Sequence, residues 1–130
     1  NWGLLWKGAI AAVAAFWGGL EPLVQLLIIL MALDITSGIL CAARKGNVSS
    51  DAAFQGITKK ALALIVVLMA WAIQQYATGY ISTAIPIAAA VAGFYCAGEG
   101  LSILENAAMA GLPIPEIIKD ILEKLKPKEG

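Results

Sequence analysis

The amino-acid sequence contains apolar runs with few or no charges, and their lengths fit a lipid bilayer. A hydrocarbon core of about 30 Å needs about 20 helical residues to cross it. The runs cover residues 4–20, 23–43, 61–80 and 84–107. Only 14% of all residues are charged, whereas a soluble domain carries about 25%. The sequence therefore predicts an all-α membrane protein with a bundle of three to four transmembrane helices.

The breaks between these runs have local causes. Pro22 can begin a helix but cannot continue one, so it separates the first two runs after a glycine pair. Residues 44–60 are polar and include Ser49, Ser50 and Asp51, which are good helix caps. The runs are long, rich in Ala and Leu and without alternation, so strands are not expected.

The first run allows three interpretations, because it is short for a span and contains Lys7. It is a transmembrane helix, an in-plane interfacial helix or a signal peptide with Lys7 as its basic region. An in-plane helix needs a polar face, which this run lacks. A signal peptide would be cleaved near Ala14, but the apolar run continues beyond that residue.

The positions of the basic residues predict the topology. Short loops rich in Lys and Arg stay in the cytoplasm. The turns near Glu21 and between Tyr76 and Pro86 contain no basic residue. Residues 1–112 are thus expected to form the transmembrane domain, with a cytoplasmic C-terminus. Residues 113–130 are expected to form a cytoplasmic amphipathic tail, with apolar residues on one helical face and charged residues on the other.

Three ionisable residues, Lys7, Asp34 and Glu99, are predicted to lie at similar depths within the membrane. Counted from the external turns, each is about 18 to 21 Å along its helix. A carboxylate at the bilayer centre costs at least ~2.5 kcal/mol, so such groups face protein or water. The layer either lines an aqueous path when subunits assemble or is structural. In the structural interpretation Lys7 neutralises Asp34, and Glu99 is protonated or hydrogen-bonded.

Further polar and small residues are predicted to support this layer. On the second run, Ser37, Gly38 and Cys41 share a face with Asp34. On the fourth run, Ser102 and Asn106 share a face with Glu99. A second face of the fourth run is a ridge of small residues that would allow close helix packing, and it consists of Ala89, Gly93 and Ala97.

The sequence lacks the residues that most catalytic and metal sites need. There is no histidine, and Cys41 and Cys96 have no metal-type spacing. No nucleotide fingerprint or nucleophile elbow occurs. We therefore expect no enzyme, no metal, no cofactor and no nucleic-acid partner. The two cysteines are expected to be buried, reduced thiols.

Several short motifs, in their order and spacing, resemble the phage-lysis and toxin-secretion holins. The chain is similar to the four-span class of this family, which includes the clostridial toxin-release holins. The resemblance covers nearly the whole chain up to Pro115 and is carried by Phe16–Gly19, Leu26-Leu27, Asp34–Gly38, Lys45-Gly46, Ser49-Ser50, Gly56, Lys59-Lys60, Glu99, Ser102–Asn106, Gly111 and Pro113–Pro115.

The resemblance implies a protein that associates with itself in the plasma membrane and opens lesions at a set time. An endolysin, or a toxin without a signal sequence, then leaves the cytoplasm. The residues alone predict less: a polytopic, oligomeric, non-enzymatic protein in contact with lipid. They leave two alternatives open, a small proton- or ion-coupled channel or transporter subunit and a membrane scaffold.

Overall fold

The structure is a computed structural model, and it describes residues 1–81 and 86–125, without the side chains of Leu122 and Leu125. The described chain consists of helices and short connections, and contains no strand. The predicted start of the fourth run at residue 84 and the end of the tail, residues 126–130, lie outside the described residues. The five helices are α1 (Trp2–Gly18), α2 (Pro22–Lys45), α3 (Ser50–Tyr76), α4 (Ile87–Met109) and α5 (Glu116–Leu125).

Three of these helices, α2, α3 and α4, are long and apolar enough to cross a membrane. They contain 24, 27 and 23 residues, which correspond to about 35 to 40 Å of helix. The prediction of an all-α bundle with three to four transmembrane helices and a short C-terminal helix is confirmed. The first helix, α1, has 17 residues, or about 26 Å.

The ends of α2 and α3 follow from local sequence. Pro22 occupies the first turn of α2, where its missing N–H costs nothing. Gly46 ends α2 in the left-handed conformation, with φ +73°, which glycine adopts without strain. Ser49 caps α3, because its Oγ accepts a hydrogen bond from the backbone N–H of Ala52 at 3.3 Å. The α2–α3 loop therefore spans only residues 46–49.

The polar stretch 44–60 was expected to be a connection, and this expectation is wrong for most of it. Helix α3 begins at Ser50, eleven residues before the predicted start of the third apolar run. Lys59 and Lys60 consequently lie within a helix and not in a loop. The Ser49 cap, with Asp51 in the first turn and Ala52 and Ala53 beside it, explains the early start.

Helix α4 lies between the other two long helices and packs mainly against α2, whereas α2 and α3 touch little. The buried stripe of α4 consists of Ala88, Ala92 and Cys96, which recur every four residues and permit close approach. The shared core consists of Leu27, Met31, Ala63, Val67, Ala92 and Cys96.

The small-residue ridge predicted for helix packing lies one residue beyond this buried stripe. Ala89 and Gly93 are half-buried and Ala97 is exposed. A Cβ added to Gly93 would meet no atom within 4 Å. The contact within the bundle is thus made by the stripe from Ala88 to Cys96, and the predicted ridge faces partly outwards.

Candidate functional site

One ammonium group joins the three long helices near the middle of the bundle. Nζ of Lys60, on α3, lies 2.7 Å from Oδ2 of Asp34 on α2. The same nitrogen lies 2.8 Å and 3.0 Å from the two carboxylate oxygens of Glu99 on α4. We call Asp34, Lys60 and Glu99 the charge cluster. Each long helix contributes one member of it.

The charge cluster is shielded from the surroundings of the bundle. The side chains of Lys60, Asp34 and Glu99 are 16%, 11% and 13% exposed. Lys60 lies about 15 Å from the start of α3, and Asp34 about 16 Å from the end of α2. Both distances are measured from the α2–α3 loop, and each is about half of the roughly 30 Å that a hydrocarbon core measures.

An amide extends the charge cluster towards the α2–α3 loop. Nδ2 of Asn106 donates to Oδ1 of Asp34 at 3.0 Å and to Oγ of Ser37 at 2.9 Å. Oγ of Ser37 donates to the backbone carbonyl of Asp34 at 3.1 Å. No buried polar side-chain atom in the described chain lacks a hydrogen-bond partner. The polar groups are therefore satisfied within one subunit, which removes most of their cost in lipid.

The structure brings together two of the three residues in the predicted layer. Asp34 and Glu99 share a cation, but that cation is Lys60. Lys7 is exposed on α1 and forms no ion pair with any residue that the structure describes. The pairing of Lys7 with Asp34 is therefore corrected: α1 does not pack against the bundle, whereas the early start of α3 places Lys60 beside both carboxylates.

The supporting residues lie close to their expected places. Ser37 and Gly38 are half-buried and Cys41 is buried on the side of α2 that faces α4. A Cβ on Gly38 would lie 3.6 Å from Nδ2 of Asn106, so the two helices approach closely here. Ser102 is half-buried on α4. Both cysteines are free thiols, and both are buried.

Sequence reasoning missed Lys60, although a signal for it exists. Ala63, Val67 and Ala70, the buried residues of α3, follow Lys60 by three, seven and ten residues. This spacing places Lys60 on the same helical face as the core residues. Extending the helical period back to the Ser49 cap would have placed its ammonium group inside the bundle.

A cavity of about 320 Å³ opens between α2 and α3 on the side of the α2–α3 loop. Its lining extends from Asn47 and Ser49 in the α2–α3 loop to Asp34, Lys60 and Asn106. Its walls are formed by apolar and small residues. It thus reaches the charge cluster from one end of the bundle.

The charge cluster can hold charged groups within a membrane, but the described residues do not supply the ligands of a metal centre. No group of three or more His, Cys, Asp or Glu side chains suited to a metal ion occurs in residues 1–81 and 86–125. An ammonium bridging two carboxylates has a net charge of −1 when all three groups are ionised. Such a cluster is stable while the helices stay packed and becomes unstable in lipid when they separate.

Comparison with known proteins identifies one matching family and several related proteins. The sequence profile of the bacteriophage holin family matches residues 11–127. An uncharacterised protein of Halalkalibacterium halodurans is 34% identical over 98% of this chain and 96% of its own length. A probable holin of Bacillus phage phi105 is 32% identical over 86% of this chain and 80% of its own length. An uncharacterised protein of Clostridium perfringens is 33% identical over 99% and 94%, respectively. No solved structure matches significantly.

Proposed function

Because the chain belongs to the bacteriophage holin family, we propose that it associates with itself in the bacterial plasma membrane and forms lesions. An endolysin, or a toxin without a signal sequence, would leave the cytoplasm through them. The observation that carries this proposal is the charge cluster, since three helices long enough to cross a membrane hide one ammonium and two carboxylates about halfway along the bundle. The role is non-enzymatic, as the family suggests.

The cluster supports two states of the helices. In the packed state Lys60 satisfies both carboxylates, and most of the outer surface of the long helices is apolar and suited to lipid. When subunits gather, the same groups can turn towards a shared aqueous space, where water replaces the lost contacts. The membrane potential acts on a charge with about 2.3 kcal/mol per 100 mV for a full crossing. Asp34, Lys60 and Glu99 are thus the groups through which a fall in potential would favour the open state.

We place the α2–α3 loop and the C-terminal tail in the cytoplasm. Arg44 and Lys45 lie at the end of α2, next to this loop, and Lys119 and Lys124 lie on α5. The turns after α1 and α3 contain no basic residue among those described. The distribution agrees with the retention of Lys and Arg on the cytoplasmic side.

The test compares Lys60→Met with Lys59→Met in bacteria that produce a folded cytosolic reporter protein. Lys59 is the matched control, because it is adjacent in sequence and exposed. Membrane potential, viability and reporter escape are followed after induction. We expect abrupt, timed escape with the unchanged chain and with Lys59→Met, and altered timing or loss of escape with Lys60→Met at equal amounts in the membrane. Equal timing in both variants would exclude the charge cluster as the trigger.

One observation favours a second candidate, an ion-coupled channel or transporter subunit. The cavity between α2 and α3 connects the charge cluster to one end of the bundle, as a half-channel for protons would. The same experiment distinguishes the candidates. Gradual loss of potential without escape of the reporter would support the transporter and contradict the holin.

A further inference from the structure

Helix α1 is the one helix of the first four that has no buried residue. It meets the bundle at its C-terminal end, where Nε2 of Gln25 donates to the backbone carbonyl of Trp17 at 2.8 Å. The side chains of Trp2, Trp6 and Phe16 are 65% to 78% exposed. Because α1 lies outside the bundle, its exposed side chains are available to contact lipid or another chain.

The two sides of α1 differ in a way that distinguishes these two possibilities. Within about 50° of Lys7, at 100° per residue, all other residues are small. They are Gly3, Ala11, Ala14 and Gly18. Leu4 and Ile10 flank this narrow strip at about 60° on either side, and Trp2, Val13 and Phe16 lie on the opposite side. Small residues allow two helix backbones to approach closely in a membrane, whereas a lone lysine in lipid is costly. The Lys7 side therefore suits a helix that supplies a negative charge.

Helix α4 presents such a charge on its outer surface. Glu105 is exposed and forms no ion pair within the described part of the chain. It lies on the side of α4 away from the buried stripe, together with Ala97, Gly98 and Ala108, which are exposed as well. A Cβ added to Gly98 would meet no atom within 4 Å, so this side is open to a neighbouring helix.

The two charges also match in height when α1 runs antiparallel to α2. The hydrogen bond between Asn106 and Ser37 fixes α4 relative to α2. Glu105 is thus level with the part of α2 that lies about 22 Å from Pro22. Lys7 lies about 16 Å from the end of α1. When α1 runs antiparallel to α2, the turn before Pro22 adds several ångströms to the height of Lys7 measured from Pro22. Two copies in one membrane share these heights.

We propose that α1 of one copy packs, by its Gly/Ala side, on the outer side of α4 of a second copy. Nζ of Lys7 and the carboxylate of Glu105 form an ion pair between the two chains. The contact surface on α1 differs from the contact surface on α4. Each copy can therefore bind one neighbour through α1 and a second neighbour through α4. Such a heterologous contact builds rings or open arrays. The inference rests on the proposed function, because it names the contact by which the chain associates with itself.

The experiment uses disulfide cross-linking between two differently tagged copies in a Cys41→Ala, Cys96→Ala background. In an antiparallel contact that joins Lys7 to Glu105, Ala14 falls opposite Gly98. One copy carries Ala14→Cys and the other Gly98→Cys. The matched control is Val13→Cys with Gly98→Cys, since Val13 lies on the large-residue side of α1. We expect a cross-link that contains both tags with Ala14→Cys and none with Val13→Cys.

The charges are tested in the same membranes. Lys7→Glu in every copy should abolish the cross-link, and adding Glu105→Lys should restore it. The proposal is overturned if Val13→Cys cross-links equally, if Lys7→Glu leaves the band unchanged, or if the exchanged pair fails to restore it. Escape of the reporter from cells with the unchanged chain is measured separately. Escape without the cross-link would refute this contact but not the holin role, and a cross-link without escape would refute the holin role alone.

Discussion

Lys60 stabilises the bundle because it is the shared partner of two buried carboxylates. Removing one member of a buried ion pair costs about 3 kcal/mol or more, since the remaining charge is left without a partner. Lys60→Met should therefore lower the thermal midpoint of the detergent-solubilised protein much more than Lys59→Met. Adding Asp34→Asn to Lys60→Met should recover part of the loss, because one unpaired carboxylate then remains instead of two.

Thermal unfolding monitored by circular dichroism measures these differences. If the double variant is less stable than Lys60→Met, the carboxylates do not depend on the ammonium group. In that case Asn106 and Ser37 would be the main partners of Asp34.

Gly38 provides a second prediction at the scale of one residue. A methyl group here would lie 3.6 Å from Nδ2 of Asn106, which is ordinary van der Waals contact. Gly38→Ala should therefore fold and gain about 0.5 kcal/mol or more from helix propensity. Gly38→Leu should displace Asn106 and destabilise the protein by about 1 to 3 kcal/mol, the usual cost of overpacking.

The comparison between the two variants is made by thermal melting in one detergent. Equal melting temperatures for Ala and Leu would mean that the contact between α2 and α4 is looser at this point than the distance indicates.

At the scale of elements, the two glycines near the α2–α3 loop should respond oppositely to alanine. Gly46 has a positive φ at the end of α2, so Gly46→Ala should cost about 1 kcal/mol. Gly56 lies inside α3, where an added Cβ would meet no atom within 4 Å. Gly56→Ala should be neutral or stabilising by up to about 1 kcal/mol. Thermal melting of both variants checks the pair, and destabilisation by Gly56→Ala would contradict the helical start of α3 at Ser50.

The sequence allowed the elements to be predicted better than the site. Apolar runs of bilayer length identified α2, the second half of α3 and α4, because lipid requires continuous apolar helix. The charged half of α3 was assigned to a loop, since hydropathy falls there while helix formation continues from the Ser49 cap. That error placed Lys60 outside the membrane and left Lys7 as the apparent partner of Asp34.

That Asp34 and Glu99 lie at the same level was predictable, because each can be counted along its own helix from a turn. Which cation lies between them was not, because it depends on which helices pack together. The sequence of α1 is as apolar as that of a core helix, yet α1 lies outside the bundle and has no buried residue. Hydropathy alone cannot distinguish these two positions.

At the scale of the whole molecule, the cavity between α2 and α3 predicts that water reaches the charge cluster from one side of the membrane only. Ala53 and Gly56 line this cavity, whereas Leu68 is exposed on the lipid-facing surface of the other half of α3. In a Cys41→Ala, Cys96→Ala background, a charged, membrane-impermeant thiol reagent should label Ala53→Cys and Gly56→Cys in inside-out vesicles. Intact cells should leave both positions unlabelled, because the reagent meets them only from the cytoplasm.

Leu68→Cys should stay unlabelled in both preparations, because a thiol in hydrocarbon is neither hydrated nor ionised. Labelling of Gly56→Cys in intact cells would reverse the proposed orientation, since the loop would then face outwards. Labelling from both sides before any lesion forms would mean that the resting bundle already conducts. In the proposed resting state, the half of the bundle between the charge cluster and the turns after α1 and α3 is not hydrated. The electric field across the membrane falls mainly over this half. A change in membrane potential therefore acts directly on Asp34, Lys60 and Glu99.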